Sequence, residues 1–179
     1  MSAGLKLLTR IALFSALVYV LTWVTSALPN VSFVFFIVFT AGFVWGAVPG
    51  LLVGIIGMGL ASAFNPYGPA SPYVMVAQMA GVSVSGVVGA TFARTGWAKR
   101  GRVTLRVWLA VTGVVCTILF YVPVNAVDAW LFQPFWPRFI AGAGWSLISV
   151  ASNMIIFPLL FDVARYLYER ESGIQWRNA

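Results

Sequence analysis

Long apolar runs follow one another along most of this chain, and they limit its fold before any motif is considered. "RIALFSALVYVL" at 10–21, "VSFVFFIVFTAGFVWGAVPGLLVGIIGMGL" at 31–60 and "VTLRVWLAVTGVVCTILFYVPV" at 103–124 are the plainest. Stretches of about 18 or more such residues read as membrane-crossing helices. Composition agrees: 8% of the residues are charged, against about 25% in soluble domains. The expected fold is an all-α integral membrane protein, one six-helix domain over 1–179. Its transmembrane helices are placed near 5–27, 31–47, 50–64, 72–94, 103–123 and 138–165. The second and third are short for a span and should tilt or cross a thinned region. A cleavable signal peptide is set aside, since no small-residue cleavage site follows the first run.

The net charge of +7 would suggest nucleic acid in a soluble protein. Here the charges sit at the ends of apolar runs and read as topology signals. With both termini cytoplasmic, ten of the eleven Lys and Arg residues fall inside, and only Arg138 falls outside. That is the positive-inside pattern. It makes "ARTGWAKRGR" (93–102) the main internal loop. "TSALPN" (25–30), "NPYGPASPY" (65–73) and "NAVDAWLFQPFWPRF" (125–139) become the outer segments.

Enzyme chemistry finds little to work with. The chain has no histidine and four acidic residues, Asp128, Asp162, Glu169 and Glu171, none in a paired-carboxylate or metal-ligand spacing. Cys116 lies in "GVVCTIL" and reads as a buried apolar thiol. No phosphate-binding glycine loop is present, so neither an enzyme activity, a metal nor a cofactor is expected. Asp162 and Arg165 read as an i, i+3 pair at the inner end of the last helix. "NVS" at 30–32 fits a glycosylation sequon but is a short, weak motif.

Polar side chains cost free energy within hydrocarbon, so each implies a partner or a cavity. Gln78 falls roughly 9 Å below the outer end of the fourth helix at 1.5 Å per residue. Tyr121 and Asn125 fall at the outer end of the fifth; Trp145, Ser146, Ser149 and Asn153 run down the sixth. Facing inward, these would line an outward-open cavity with Asn30, Asn65, Tyr67 and Tyr73 from the outer segments. The alternative is helix-to-helix hydrogen bonding plus an interfacial aromatic belt. "DAWLFQPFWPR" (128–138) could form a lid, with Trp130 and Trp136 against a flat heterocycle and Asp128 and Arg138 on its polar edges. "NPYGP" would shape a gate, its rigid turn holding Tyr67 and Tyr73 near the mouth of the cavity. Small residues at four-residue spacing, Gly42, Gly46, Gly50 and Gly54, then Gly81, Ser85 and Gly89, read as helix packing faces.

Three stretches resemble the substrate-binding (S) component of energy-coupling factor (ECF) transporters. "RIALFSALVYVL" carries Ala12 and Ala16 in the AxxxA pattern of that family's first helix. "LPNVSFVFFIVFTAGFVWGAVPGLLVGIIG" is similar to its second and third helices, and "NPYGPASPYVMVAQMAGVSVSGVVGA" to the third outer loop and fourth helix of vitamin-type members. The resemblance implies a high-affinity binding subunit in a bacterial or archaeal cytoplasmic membrane. It would take up a vitamin or related micronutrient. Ala12 and Ala16 would dock on a membrane coupling subunit driven by two cytoplasmic ATPases. The ring system stays open between flavin, pteridine, pyridine, thiazole and corrinoid. A self-sufficient transporter or facilitator without ATPase partners is the competing function, and a ligand-free assembly protein a third.

Overall fold

A computed structural model describes residues 3–96 and 101–172. Within them the chain is all-helical: α1 (Ala3–Val24), α2 (Val34–Trp45), α3 (Ala47–Ala63), α4 (Pro72–Arg94), α5 (Arg102–Leu131) and α6 (Phe135–Ser172), with a 3-10 turn at Thr25–Ala27 after α1. α1, α4, α5 and α6 are long and apolar enough to cross a bilayer, whereas α2 and α3 are shorter apolar helices. Large side chains such as Leu13, Val76, Val103 and Leu159 point outward. An apolar exterior of this kind suits lipid rather than water.

The shortest helix is the central one. Ten residues of α2, Val34 through Phe43, are buried, and the helix packs on α1, α3, α4 and α6. Being solvated by protein on every side, it need not match the bilayer. Its 12 residues span about 18 Å at 1.5 Å each, against a hydrocarbon core of about 30 Å. Phe36, Phe39 and Phe43 lie along α2 and meet Phe157, Phe92 and Phe161 from α6 and α4 in edge-on or tilted contacts, with centroids 5.2–6.2 Å apart. Such pairs add roughly 0.5–1.5 kcal/mol beyond their buried area.

Glycines let α2, α3 and α4 come together. A Cβ on Gly42 would overlap the Gly86 carbonyl, and one on Gly50 would lie 2.8 Å from the Cα of both Gly42 and Gly86. Gly54 meets Ser83 and Gly89 meets the Phe39 carbonyl in the same way. The spacing of Gly42, Gly50 and Gly54 is thus used for packing. Gly86, outside the Gly81/Ser85/Gly89 series, completes the contact, while Gly81 faces Phe120 on α5.

Two boundaries differ from expectation. The break between α2 and α3 falls at Gly46, with φ +98°, rather than at Pro49. Pro49 instead sits in the first turn of α3, where its missing N–H costs no hydrogen bond. α5 continues through Pro123 to Leu131, and α6 begins at Phe135, so the segment between them is only 132–134. Membrane helices tolerate an interior proline when neighbours compensate the freed backbone group. Residues 125–131 therefore extend a helix, and the supposed lid is a tight helical hairpin.

One end of the bundle carries three of the four ion pairs among the described residues. Arg10 of α1 pairs with Glu171 of α6, Arg106 of α5 with Asp162 of α6 at 2.8 Å, and Arg165 with Glu169 at 2.9 Å. Arg10 also lies over the Trp45 ring at 5.9 Å. Lys99, Arg100 and Arg177 lie outside the described residues.

Packing at this density makes a definite demand. Gly42→Val should destabilise the bundle by about 1–3 kcal/mol, seen as a lower detergent melting temperature. Gly144→Ala, where a Cβ meets nothing within 4 Å, should leave stability unchanged or raise it by less than ~1 kcal/mol.

Candidate functional site

Because α2 is short, the bundle is hollow at the end away from the Arg10, Arg106 and Arg165 pairs. A cavity of about 410 Å³ lies there, within the ~300–1,000 Å³ range of small-molecule sites. Thr22, Thr25 and Ser26 line it from the end of α1, and Leu28 to Ser32 from the connection to α2. The first turn of α2 adds Val34 and Phe35. Met58 of α3, Gln78 and Val82 of α4, and Phe120, Tyr121 and Val124 of α5 complete the wall, with Asn65, Pro66 and Tyr67 at the α3–α4 connection. No charged side chain is among these described lining residues.

Local chemistry shapes the rim. Asn65 Oδ1 accepts the Tyr67 backbone N–H at 2.9 Å, an Asx turn, and its carbonyl accepts from Gly68, whose φ is +103°. Ser71 caps α4 by accepting from the Val74 N–H, with Pro72 opening the helix. Trp23 Nε1–H donates to the Phe64 carbonyl at 3.0 Å and ties this connection to α1. The "NPYGP" turn is therefore held in place, with Tyr67 80% exposed at the mouth.

The opposite wall is held from behind. Ser149 of α6, fully buried, contacts the Asn30 carbonyl at 2.6 Å and Tyr121 Oη at 2.8 Å. Tyr121 Oη also lies 3.3 Å from Asn30 Oδ1. One turn deeper, Asn153 Nδ2–H donates to the Ser149 carbonyl at 2.9 Å. Asn30 has φ +59°, a conformation asparagine tolerates better than most residues, and its tether to Ser149 fixes the α1–α2 connection there.

The residues singled out in the sequence divide into two groups. Asn30, Asn65, Tyr67, Gln78 and Tyr121 share the cavity wall, while Ser149 and Asn153 brace it. The others lie elsewhere. Asn125 Nδ2–H donates to Ser146 Oγ at 3.0 Å and joins α5 to α6. Asp128 and Arg138 pair at 2.6 Å across the outer hairpin, with the guanidinium 4.8 Å from the Phe132 ring centroid. Tyr73, Trp130, Trp136 and Trp145 are all more than 60% exposed, on the outer surface of the bundle. Tyr73, Trp130 and Trp136 lie at helix ends, where amphipathic rings favour a membrane interface. Five hydroxyl residues escaped the sequence reading: Ser32 on the α1–α2 connection, Ser62 behind Gln78, and Thr22, Thr25 and Ser26 at the end of α1. The i, i+3, i+4 spacing of Thr22, Thr25 and Ser26, one face of a helix end, was the available signal.

A helical bundle with an apolar exterior and a neutral polar cavity at one end defines a membrane protein able to enclose a small molecule. The family model for the ECF-type riboflavin transporter, S component, matches residues 3–166, and the chain belongs to that family. It is thus a membrane transporter subunit of the vitamin-binding kind. Comparison with curated proteins and with solved structures gave no match.

Ser149 supplies the first test. Ser149→Ala strips a hydroxyl from two half-buried polar partners, which should cost about 0.5–1.5 kcal/mol. Thermal unfolding of the detergent-solubilised variant measures it; an unchanged midpoint would show the brace to be unimportant.

Proposed function

We propose that this chain binds riboflavin, or a closely related neutral heterocycle, at the extracytoplasmic face and delivers it to an ECF importer. The observation carrying this reading is the cavity, uncharged and walled by amides, hydroxyls and rings, at the end opposite the basic cluster. Lys6, Arg10, Arg94, Arg102, Arg106, Arg165 and Arg170 belong to that cluster by sequence, which supports a cytoplasmic placement for both termini. The binding set is Thr22, Thr25, Ser26, Asn30, Asn65, Tyr67, Gln78 and Tyr121, and the family's name supports a flavin as cargo.

Delivery needs partners. Ala12 and Ala16 lie one turn apart on the outward face of α1, both exposed, while Ile11, Ser15 and Val18 face inward. Two alanines on a lipid-facing stripe let another helix approach closely. This supports docking of a coupling subunit there, with ATP hydrolysis in further subunits.

Quenching of flavin fluorescence on titration into purified protein tests the binding half. Riboflavin should saturate one site with Kd below about 1 μM, some 8 kcal/mol of binding free energy. Flavin mononucleotide should bind at least ~10-fold more weakly, because its phosphate finds no cation in the wall. Absence of saturable riboflavin binding would remove the flavin assignment.

The docking half makes the converse demand. Ala16→Trp should abolish ATP-dependent uptake in cells while leaving riboflavin Kd within ~2-fold of the parent, since an exposed α1 residue touches no cavity group. Uptake at the normal rate would show that α1 does not dock, and would favour a self-sufficient transporter.

A further inference from the structure

Two of the three wall amides, Gln78 and Asn65, are not free to present either end to a ligand. Ser62 of α3 is 2% exposed, and its hydroxyl donates to Gln78 Oε1 at 2.7 Å. That distance is typical of O–H···O. Turning the amide over would leave the buried hydroxyl proton of Ser62 without this acceptor, a cost the present orientation avoids. Asn65 is fixed more strictly: its partner, the Tyr67 backbone N–H, can only donate, so the atom facing it is oxygen. Among the described residues, neither Gln78 Nε2 nor Asn65 Nδ2 has a protein acceptor. Both NH2 groups belong to residues that line the cavity.

The α1 side carries the opposite polarity. Thr22 Oγ1–H donates to the Val18 carbonyl at 2.8 Å, Thr25 Oγ1–H to Leu21 at 2.7 Å and Ser26 Oγ–H to Trp23 at 2.7 Å. Each hydroxyl has committed its one proton to the helix behind it. What remains for the cavity is lone pairs.

We propose that the cavity selects its ligand by hydrogen-bond polarity, with Gln78 and Asn65 as a donor edge and Thr22, Thr25 and Ser26 as an acceptor edge. The ligand class is a neutral molecule bearing carbonyl or imine acceptors along one side and hydroxyl or N–H donors on the other. This deepens the binding reading above and rests on it. For riboflavin it fixes the pose: the two carbonyls of the ring system lie against Gln78 and Asn65, and the polyol chain runs along the end of α1. Ser62 is a positioning residue, acting on the ligand only through the Gln78 amide.

A matched set of variants reads this polarity. In Gln78→Glu, one carboxylate oxygen keeps the Ser62 bond and the other turns an acceptor towards the ligand's acceptors. At pH 8 it should bind riboflavin at least ~30-fold more weakly than the parent, and more weakly than Gln78→Met, which offers neither donor nor acceptor. Lowering the pH protonates the new carboxyl and restores a donor, so Gln78→Glu should regain affinity on acidification while Gln78→Met stays flat. Tyr67 and Tyr121 are the other titratable side chains among the described lining residues, so Gln78→Met at each pH serves as the control for them. Gln78→Glu binding as tightly as the parent at pH 8, or Gln78→Met binding more weakly than Gln78→Glu, would overturn the proposal.

A ligand-free measurement keeps the two readings apart. In NMR of the unliganded parent, the Gln78 side-chain NH2 protons should show Overhauser contacts to methyls of Met58 or Val82, which share the cavity wall. Contacts to the Ser62 β protons instead would reverse the amide and overturn the polarity, whatever the cargo. If the parent shows the expected contacts but binds no riboflavin, the flavin assignment fails and the donor edge stands.

Discussion

Backbone contact between α2, α3 and α4 at Gly42, Gly50 and Gly86 is the constraint on which the rest of this structure depends. Helices held apart by side chains sit 8–10 Å from axis to axis; glycine pairs remove the spacer and allow a closer approach. In lipid this matters more than in water, because apolar side chains gain little by leaving an equally apolar solvent. Dense packing is what holds a central helix in place. With α2 locked at its Gly42 end and its phenylalanines seated against α4 and α6, its first turn cannot advance outward to fill the space above it. The cavity follows from a short helix held firmly at its far end.

Polar groups then had to be accommodated around that space without water from the bilayer. The fold does so with side chains that bond across elements remote in sequence: Ser149 to the Asn30 carbonyl, Ser62 to Gln78, Trp23 to the Phe64 carbonyl. Each bond joins a helix to a connection or to another helix, so the wall is rigid although much of it is irregular backbone. Irregular backbone at membrane depth is tolerated only where it is buried or lines a cavity, and residues 28–32 do the latter. Preorganisation of this kind lowers the ordering cost of binding.

The all-helical membrane class was legible because hydropathy is additive along a chain and needs no tertiary information. Gln78 and Tyr121 were legible for a related reason: a polar group within an apolar run must find a partner. The aromatic segment 128–138 misled because composition does not reveal where a helix ends. Pro123 suggests a stop, yet α5 passes through it, and the hairpin closes in three residues, 132–134. Trp130 and Trp136 are thereby carried to the outer surface rather than over the cavity. The α1 hydroxyls escaped notice because Thr and Ser in a membrane helix ordinarily bond back to their own turn. Thr22, Thr25 and Ser26 do so, and only the tertiary arrangement shows that their other side faces a cavity.

The proposed ligand position is between the end of α1, Gln78, Tyr121 and the Asn65–Tyr67 turn, not beneath the aromatic hairpin. A structure of the protein purified with riboflavin tests this directly. The account predicts flavin density within that cavity, in contact with Gln78 and Tyr121. Density packed against Trp130 and Trp136, with the cavity unchanged, would contradict it.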